Sequence, residues 1–454
     1  MDTMPMPPSP PGRGTPSTKK QSSLGSITPE PDDFTLNNGP ICRLPEELLE
    51  MIIVFVVVGP CSQRWLPGYC SAATIIALVC KQLRRIVVPI LYHTISVDQI
   101  ESGEDRARKV HRTLQENPSL REHCKELRIG IYHKPPTKEH LAILTDFVSW
   151  LTSVTVLAIE DPVCDEERDS WKLIQNATVQ LPELDTFFLI PTWNESYLDH
   201  IIQSIDSSSL RRLIVNQIDD DTGNSTVLTP ENKRTASFSD LTLQNYFGPD
   251  LIAQLIQWPK TLLHFHFHPG INTEHYFDFP MFEPWLLQHK HTLLSIAFGP
   301  FPDMEEDRMF NASAFPNLEY LGLSRWHVGQ VGEKLLPLSA ENVDRLLGPS
   351  LTTLMWDFRS LKGVEESWGD FGKEEENWVR RLVEDAVSRK AALKHIHIIF
   401  VREPSTATAS NGYPYDRMDK IGKDIEPLGL TLTYVPPDLT KKEWLKQVNT
   451  PKQD

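Results

Sequence analysis

One short pattern recurs through most of the chain and constrains its fold more than any other feature. An apolar residue is followed three positions later by a second apolar residue, and two positions after that by a third. Ten copies occur in order, and they begin at positions 124, 154, 184, 210, 238, 262, 293, 318, 351 and 393. The second and third apolar residues would share one face of a β-strand. The pattern therefore predicts ten short strands, each with one face in a core.

The segments between these copies predict helices. Successive copies begin between 24 and 42 residues apart. Apolar residues with helical spacing occur at 141–151, 250–258 and 374–390. Strands that alternate with helices predict an α/β fold with a parallel sheet and right-handed crossovers, built as a solenoid. A non-repetitive α/β domain is the alternative.

The triplets resemble the LxxLxL strand of leucine-rich repeats, whose period is about 20–29 residues. The asparagine that usually follows this strand is absent from most copies, and Asn216 stands one place early. The resemblance implies an irregular leucine-rich-repeat-like solenoid over residues 96–440. Its last strand would lie at 430–435, and a polar C-terminal tail would follow at 441–454.

The first 95 residues differ from the rest of the chain. Residues 1–40 are rich in Pro, Ser and Thr, and this composition predicts a disordered tail. One apolar helix is expected at 44–58, a loop at 61–70, and a second helix at 71–88 that Pro89 ends. A short strand is expected at 90–97. The apolar run at 52–58 is far shorter than the roughly 20 residues that cross a membrane.

Four elements of this region resemble an F-box of the kind abundant in fungi. They are LPEELL at 44–49, Ile52, ALVCKQLR at 77–84 and PILY at 89–92. The resemblance implies that residues 41–95 bind the Skp adaptor of a cullin–RING ubiquitin ligase. The solenoid would then hold an unknown protein substrate. The residues expected to contact the adaptor are Leu44, Pro45, Leu48, Ile52, Val79, Cys80 and Leu83.

The apolar residues of the two helices also permit a second interpretation. Two short helices cannot hide this much apolar surface from each other, so another surface must cover it. A partner helix is one candidate, and the first repeat of the solenoid is the other. In the second case the helices would only cap the array, and the protein would be a repeat scaffold that joins no ligase.

Histidines alternate with phenylalanines at 264–268, which places His264, His266 and His268 on one strand face. Three histidines can hold zinc, but ligands in a line surround a tetrahedral ion poorly, so we expect no metal. In a solenoid this face is exposed, and the three histidines become candidate substrate contacts. The further candidates are Arg325, Trp326, His395 and His397.

Composition and missing motifs exclude other functions. The net charge of −16 disfavours nucleic acid as a partner. Six cysteines without CxxC spacing, and the absence of a signal peptide, indicate an intracellular protein of the cytoplasm, the nucleus or both, with no membrane partner. No phosphate-binding glycine loop, GxSxG or HExxH motif occurs, so we expect neither enzymatic activity nor a cofactor.

Overall fold

The computed structural model describes most of the chain between residues 43 and 448. The described residues are 43–58, 69–98, 103–131, 137–160, 169–190, 198–205, 208–216, 228–245, 248–269, 277–301, 309–328, 335, 338–359, 371–400, 413–437 and 439–448. The expected disordered tail at 1–40 and most of the expected loop at 61–70 lie outside these residues.

Twelve parallel strands form one sheet, and their order in the sheet is their order in the chain. The strands are β1 (Thr94–Asp98), β2 (Glu126–Gly130), β3 (Val156–Glu160), β4 (Thr186–Ile190), β5 (Arg212–Asn216), β6 (Asp240–Gln244), β7 (His264–His268), β8 (Ser295–Phe298), β9 (Tyr320–Ser324), β10 (Thr353–Asp357), β11 (His395–Ile399) and β12 (Thr431–Tyr434). The prediction of an α/β fold with a parallel sheet is confirmed, and the sequential strand order is solenoid-like.

Helices precede the sheet, connect most of its strands and follow its last strand. They are α1 (Glu46–Val58), α2 (Tyr69–Ala77), α3 (Lys81–His93), α4 (Gly103–Glu116), α5 (Lys138–Trp150), α6 (Asp169–Gln180), α7 (Leu198–Ser204), α8 (Pro249–Gln257), α9 (Phe279–Leu286), α10 (Ala340–Leu346), α11 (Lys373–Ser388), α12 (Pro414–Ile425) and α13 (Lys441–Val448). Short 3-10 turns supplement them, such as Pro118–His123 before β2 and Arg325–Val328 after β9.

The main core lies between the helices and one side of the sheet. All three apolar residues of every triplet are buried, including the first one, which precedes the strand. In β7, for example, Phe265 and Phe267 are buried and pack against Phe282 of α9, with ring centroids 6.2 and 4.8 Å apart. The alternate strand residues point to the opposite side of the sheet, which we call the open face.

The first three helices form a small core of their own. Its buried residues are Leu49, Ile53, Val57, Ala73, Leu83, Ile86 and Val87. This helical unit joins the array through α3, which leads directly into β1 and packs against the 3-10 turn Pro118–His123. The backbone N–H of Lys125 donates a hydrogen bond to the carbonyl of His93 (2.9 Å) at this junction.

The helices of this unit differ from the expected pair. The expected helix at 71–88 is two helices, α2 and α3, separated by residues 78–80. Cys80 begins α3 as its N-cap, since its sulfur accepts a hydrogen bond from the N–H of Leu83 (3.5 Å). Pro89 does not end the helix, which continues to His93. The carbonyl that loses its donor belongs to Arg85, an exposed residue, so water can replace the missing N–H.

Residues 441–448 are not part of a polar tail, and this corrects the expectation for 441–454. They form α13, and Trp444 is only 4% exposed. Its ring lies 5.5 Å from the ring of Tyr413, which precedes α12. A single large aromatic side chain therefore anchors a segment whose other described residues are mostly polar.

Candidate functional site

Exposed apolar side chains are concentrated on the helical unit. Of the fifteen large hydrophobic residues exposed among the described residues, ten lie between positions 44 and 79. We call these ten the apolar face: Leu44, Leu48, Met51, Ile52, Val54, Phe55, Val56, Ile75, Leu78 and Val79. Soluble proteins seldom expose so many large apolar side chains in one small region, so the apolar face is a candidate site of interaction with another molecule.

Three of the expected adaptor contacts lie on α1 or just before it. Leu48 and Ile52 are four residues apart on α1, a spacing that aligns their side chains along the helix, and Leu44 lies two residues before the helix begins. Leu44, Leu48 and Ile52 are 36%, 45% and 43% exposed, respectively. Pro45 is also exposed, and its carbonyl accepts hydrogen bonds from the N–H groups of Leu48 and Leu49 (both 3.1 Å) as the helix begins. These four residues are therefore accessible to a partner.

The other three expected contacts lie around the start of α3 and differ in exposure. Val79 is 59% exposed in the turn between α2 and α3, and Cys80 is half-buried. Leu83 is only 6% exposed and belongs to the small core with Ile86 and Val87. Leu83 is thus not a surface residue, because the side of α3 on which it lies faces the helical unit. The expectation that it contacts a partner directly is corrected.

The open face of the sheet carries a patch of apolar residues on β3, β4 and β5. We call it the apolar patch: Val156, Ala158, Phe188, Ile190 and Ile214. Ala158, Phe188 and Ile214 are register partners on adjacent strands, so they form one continuous row. Ala158 is buried and the other four are half-buried. The four half-buried residues of the patch remain partly accessible.

A polar cluster occupies the open face of β7 to β10. We call it the histidine cluster: His266, His268, Tyr320, Asp357 and Arg359. Arg359 and Asp357 form a two-pronged ion pair, with Nε 3.0 Å from Oδ1 and Nη2 2.6 Å from Oδ2. The Asp357 side chain is 9% exposed, whereas that of Arg359 is 55% exposed. The carboxylate therefore fixes the orientation of a guanidinium that remains open to solvent.

Small residues between the larger ones shape this cluster. In the sheet register, His266 is followed by Ala297, Gly322 and Met355 on the next three strands. A Cβ at Gly322 would lie 2.7 Å from the terminal methyl of Met355, so that side chain rests on the glycine. A Cβ at Gly299 would similarly meet the His268 ring at 2.8 Å. The side chains of Met355 and His268 therefore lie against the backbone of the neighbouring strands. His266 is exposed, and the next two residues in its row, Ala297 and Gly322, are small.

Desolvation and neighbouring charges alter the acidity of the cluster. The pKa of His266 lies below its ordinary 6.5, first because the protein partly desolvates its ring and then because the charged forms of His268 and Arg359 repel a proton on it. Desolvation also lowers the pKa of His268. Desolvation and the nearby Asp357 carboxylate raise the pKa of Tyr320 above 10.0. Both imidazoles are therefore mainly neutral at pH 7.

The remaining candidate histidines lie on the same face but outside this cluster. The Nε2 of His264 is 3.8 Å from a carboxylate oxygen of Asp240 on β6. The Nδ1 atoms of His395 and His397 lie 2.6 and 2.9 Å from the hydroxyls of Thr431 and Thr433. Strand β11 is four strands from β7, or about 19 Å. The structure therefore separates the histidines into two groups.

Arg325 does not point to the surface. It is 1% exposed, and its Nε and Nη2 lie 3.2 and 3.0 Å from one carboxylate oxygen of Glu375 in the first turn of α11. The other oxygen of Glu375 accepts a hydrogen bond from the N–H of Gly372 (2.9 Å). Arg325 thus joins β9 to α11 inside the protein, which corrects its assignment as a partner contact. Trp326 is half-buried.

The two residues that form the ion pair of the histidine cluster, Asp357 and Arg359, are absent from the substrate contacts that the sequence predicted. A usable signal exists, because both continue the alternation of β10 on the open face beyond the triplet that ends at Trp356. Met51, Phe55, Ile75 and Leu78 are similarly absent from the expected adaptor contacts. Their helical spacing suggested burial, whereas all four are 65–82% exposed.

Within the described residues, no group of three or more histidine, cysteine or carboxylate side chains is arranged to hold a metal ion. In the same part of the chain, every helix is too short or too polar to cross a membrane. The fold and surfaces define a protein of sequential strand–helix units with a separate helical unit at its N-terminal side. Comparison with known protein families and with curated proteins finds no match.

Proposed function

We propose that this protein is the substrate-recognition adaptor of a Skp–cullin–F-box ubiquitin ligase, and that it is not itself an enzyme. The helical unit would dock the Skp adaptor, and the array would hold the target protein. The observation that carries this proposal is the apolar face, which leaves ten large hydrophobic side chains exposed on α1, on α2 and in the short segments beside them. Ubiquitin transfer would belong to other subunits, so this chain would act by bringing the target close to them.

The apolar face suits a permanent or long-lived partner. Burying apolar surface contributes about 25 cal/mol per Å², so covering some 500 Å² contributes roughly 12 kcal/mol before the entropy of association is subtracted. Leu48 and Ile52 would form its centre, since they share one side of α1, and Leu44 would extend it from the segment before the helix. Val79 and Cys80 would extend it across the turn before α3.

The positions of the expected contacts also support a division of roles. Leu83 would act indirectly, since it packs inside the small core and holds α3 beside α1. The exposed residues Leu48, Ile52 and Val79 and the buried Leu83 all belong to the segments that resemble an F-box. The resemblance therefore includes both surface residues and a core residue.

A scaffold without a ligase is the alternative, and one observation favours it. Helix α3 runs directly into β1 and packs against the 3-10 turn before β2, as a cap on the first strands would. Tyr92, at the end of α3, packs against the main core. This contact uses the end of α3, whereas the apolar face lies mainly on α1 and α2. Capping and docking therefore involve different surfaces and can be tested separately.

A pull-down with purified Skp adaptor tests the proposal. Wild-type protein should bind saturably, whereas the double substitution Leu44→Ala, Leu48→Asp should reduce binding more than tenfold with an unchanged circular dichroism spectrum. The matched control is Leu287→Asp, which places the same charge at a residue of the array that is 40% exposed. This control should bind like the wild type.

Two outcomes would reject the ligase role. Absence of binding by folded wild-type protein is the first. The second is equal loss with Leu287→Asp, because binding would then not depend on the apolar face. If Leu48→Asp instead unfolds the array, the helices serve as a cap and the scaffold alternative is supported.

A further inference from the structure

The open face is chemically divided along the order of the strands. On β2, Arg128 and Glu126 pair with each other, with Nε 2.8 Å from Oε1. The apolar patch follows on β3 to β5, and the histidine cluster follows on β7 to β10. Thr242 of β6 lies between them in the same row, since it is the register partner of both Ile214 and His266. An apolar region and a polar region are thus adjacent on one continuous surface.

We propose that the open face binds one extended segment of a partner protein, in which one or two large apolar side chains precede a short run of carboxylates. The segment would cross the strands, with its apolar residues on the apolar patch and its carboxylates on the histidine cluster. This inference rests on the proposed function, because it names the class of target segment that the array would hold. The structural observations that support it concern only the array.

The apolar end of the segment follows from the apolar patch. Phe188 and Ile214 are half-buried neighbours, and Val156 and Ile190 flank them. Open-face residues of the neighbouring strands are mostly polar or charged. A large apolar side chain of a partner would therefore bind most favourably at the apolar patch, because contact there removes apolar surface of both the partner and the patch from water.

The acidic end follows from Arg359. Its Nε and Nη2 face Asp357, so the guanidinium is held in one orientation. Nη1 and the second hydrogen of Nη2 lie on the other edge of the group, and that edge can bind a carboxylate through two hydrogen bonds. His266 and His268 lie on the same open face, on β7, three strands from β10, which Arg359 follows, and the charge of Arg359 lowers the pKa of both rings. Their ring N–H groups can therefore donate to other carboxylates of the same run.

The charges of this region disfavour a basic segment. Among the described open-face residues of β7 to β11, Asp357 is the one carboxylate, and its side chain is 9% exposed and paired. A lysine or arginine of a partner would find few free acceptors there. The net charge of −16 repels acidic segments at a distance. Salt screens that repulsion beyond about 8 Å, so local contacts decide the preference.

The sheet geometry sets the spacing within the segment. Neighbouring strands are about 4.8 Å apart, so Ile214 on β5 and His266 on β7 are separated by roughly 10 Å, and Phe188 on β4 by roughly 14 Å. An extended chain advances about 3.4 Å per residue. The first carboxylate should therefore lie about three or four positions after the apolar side chain.

Binding of such a segment should strengthen as the pH falls. His266 and His268 interact electrostatically with Arg359 and Asp357, Tyr320 interacts with Asp357, and His264 on the same strand lies next to Asp240. In the free protein desolvation keeps both imidazoles mainly neutral. A bound carboxylate favours the protonated form, so binding takes up protons. Affinity should therefore be higher at pH 6.0 than at pH 7.5.

Fluorescence anisotropy with the purified full chain tests the inference. The probe is a labelled synthetic peptide, Phe-Leu-Gly-Ser-Gly-Asp-Glu-Asp-Glu, and its partner peptide replaces each acid with the corresponding amide. The acidic peptide should bind at least tenfold more tightly than the amide peptide, since hydrogen bonds between charged groups are the strongest ones available. Shortening the spacer to one residue should weaken binding.

Protein variants locate the two ends of the probe. Arg359→Ala and His266→Gln should each weaken binding of the acidic peptide, whereas Arg381→Ala, a change at an exposed arginine of α11, should not. Phe188→Ser should weaken binding of both peptides, and Leu287→Ser should not. Circular dichroism checks that each variant is folded. Arg359→Ala also removes the ion-pair partner of Asp357, whereas His266→Gln leaves that pair intact. Weaker binding by His266→Gln would therefore support the site even if Arg359→Ala changes the position of Asp357.

The inference fails if acidic and amide peptides bind equally, or if neither binds. It also fails if only a peptide with phosphoserines in place of the acids binds. A peptide that binds wild type and Arg359→Ala alike would place the site elsewhere. These outcomes are independent of adaptor docking, since the Leu44→Ala, Leu48→Asp protein should still bind the acidic peptide.

Discussion

The helical unit and the strand–helix array bury their apolar residues to very different extents. Among its described residues, the helical unit buries seven in its core and exposes ten large hydrophobic ones. The described part of the array has a continuous core from β1 to α13 and exposes only five. A small unit has too little volume to enclose its apolar side chains, whereas stacked units bury theirs against neighbours. The comparison shows that the array covers its own apolar residues, whereas the helical unit leaves more of them exposed than it buries.

The largest expected effect separates the two cores. Phe282→Ala should destabilise the array by about 5 kcal/mol, at the upper end for phenylalanine, because this ring packs against Phe267, Phe298 and Phe301. Leu49→Ala should destabilise the helical unit by roughly 2–5 kcal/mol. In hydrogen exchange, Phe282→Ala should lose protection across the array, whereas Leu49→Ala should lose protection only in α1 to α3. Uniform loss in both would mean that the two regions unfold as one.

A slightly smaller effect concerns the buried ion pair of the array. Arg325→Ala leaves Glu375 without its cation, and we expect a loss of roughly 3–5 kcal/mol in unfolding free energy by urea titration. The comparison is Arg85→Ala in the helical unit, where the pair with Glu46 is exposed and should contribute no more than about 1 kcal/mol. Equal effects would contradict the difference in burial.

The array should also be more sensitive to acid. His327 is fully buried among Phe279, Phe298 and Phe301, and burial lowers its pKa from 6.5 to about 3. Below pH 6.5 the unfolded chain takes up a proton that the folded chain does not. Stability should therefore fall, by about 1.4 kcal/mol per pH unit for this group, as the pH decreases toward 3.

The variant His327→Gln isolates this contribution. Glutamine can still accept the hydrogen bond that the Ser324 N–H donates to Nδ1 (3.1 Å), but it does not titrate. Urea midpoints measured at pH 7 and pH 5 should differ less in the variant than in the wild type. An unchanged difference would show that other groups cause the acid sensitivity.

The smallest expected effect on stability lies on the apolar face. Met51 is 68% exposed, so Met51→Ser should change the unfolding free energy by no more than about 0.5 kcal/mol. It should nevertheless weaken binding of the Skp adaptor if that partner covers this face. Large destabilisation in a thermal melt would mean that the helical unit already buries Met51 in the free protein.

The ten apolar triplets were sufficient to predict strands β2 to β11, because each strand requires two buried residues with period two and a buried residue before it. The face of each histidine at 264–268 followed from the same alternation. Pro89 misled the prediction, because the rule that proline ends a helix fails where the freed carbonyl can reach water. Trp444 was missed, since one aromatic residue among lysines gives no periodic signal.

The candidate sites were less predictable than the fold. A pattern reports which positions are apolar, but it does not distinguish an apolar side chain in a core from one on a surface, as Leu83 and Phe55 illustrate. Arg325 was misplaced for the opposite reason, because its buried partner Glu375 lies fifty residues away in the chain. Contacts at such separations depend on the crossover geometry, which residue spacing does not contain.

The strictly sequential order of the strands has a consequence for how the chain folds. Each strand pairs only with the strands before and after it in the chain, so no contact of the sheet joins its two ends. Folding can therefore start at any locally stable group of units and spread in both directions. We expect the phenylalanine-rich units around β7 and β8 to form first. The N-terminal strands, which emerge earlier from the ribosome, would then join a nucleus that is synthesised after them.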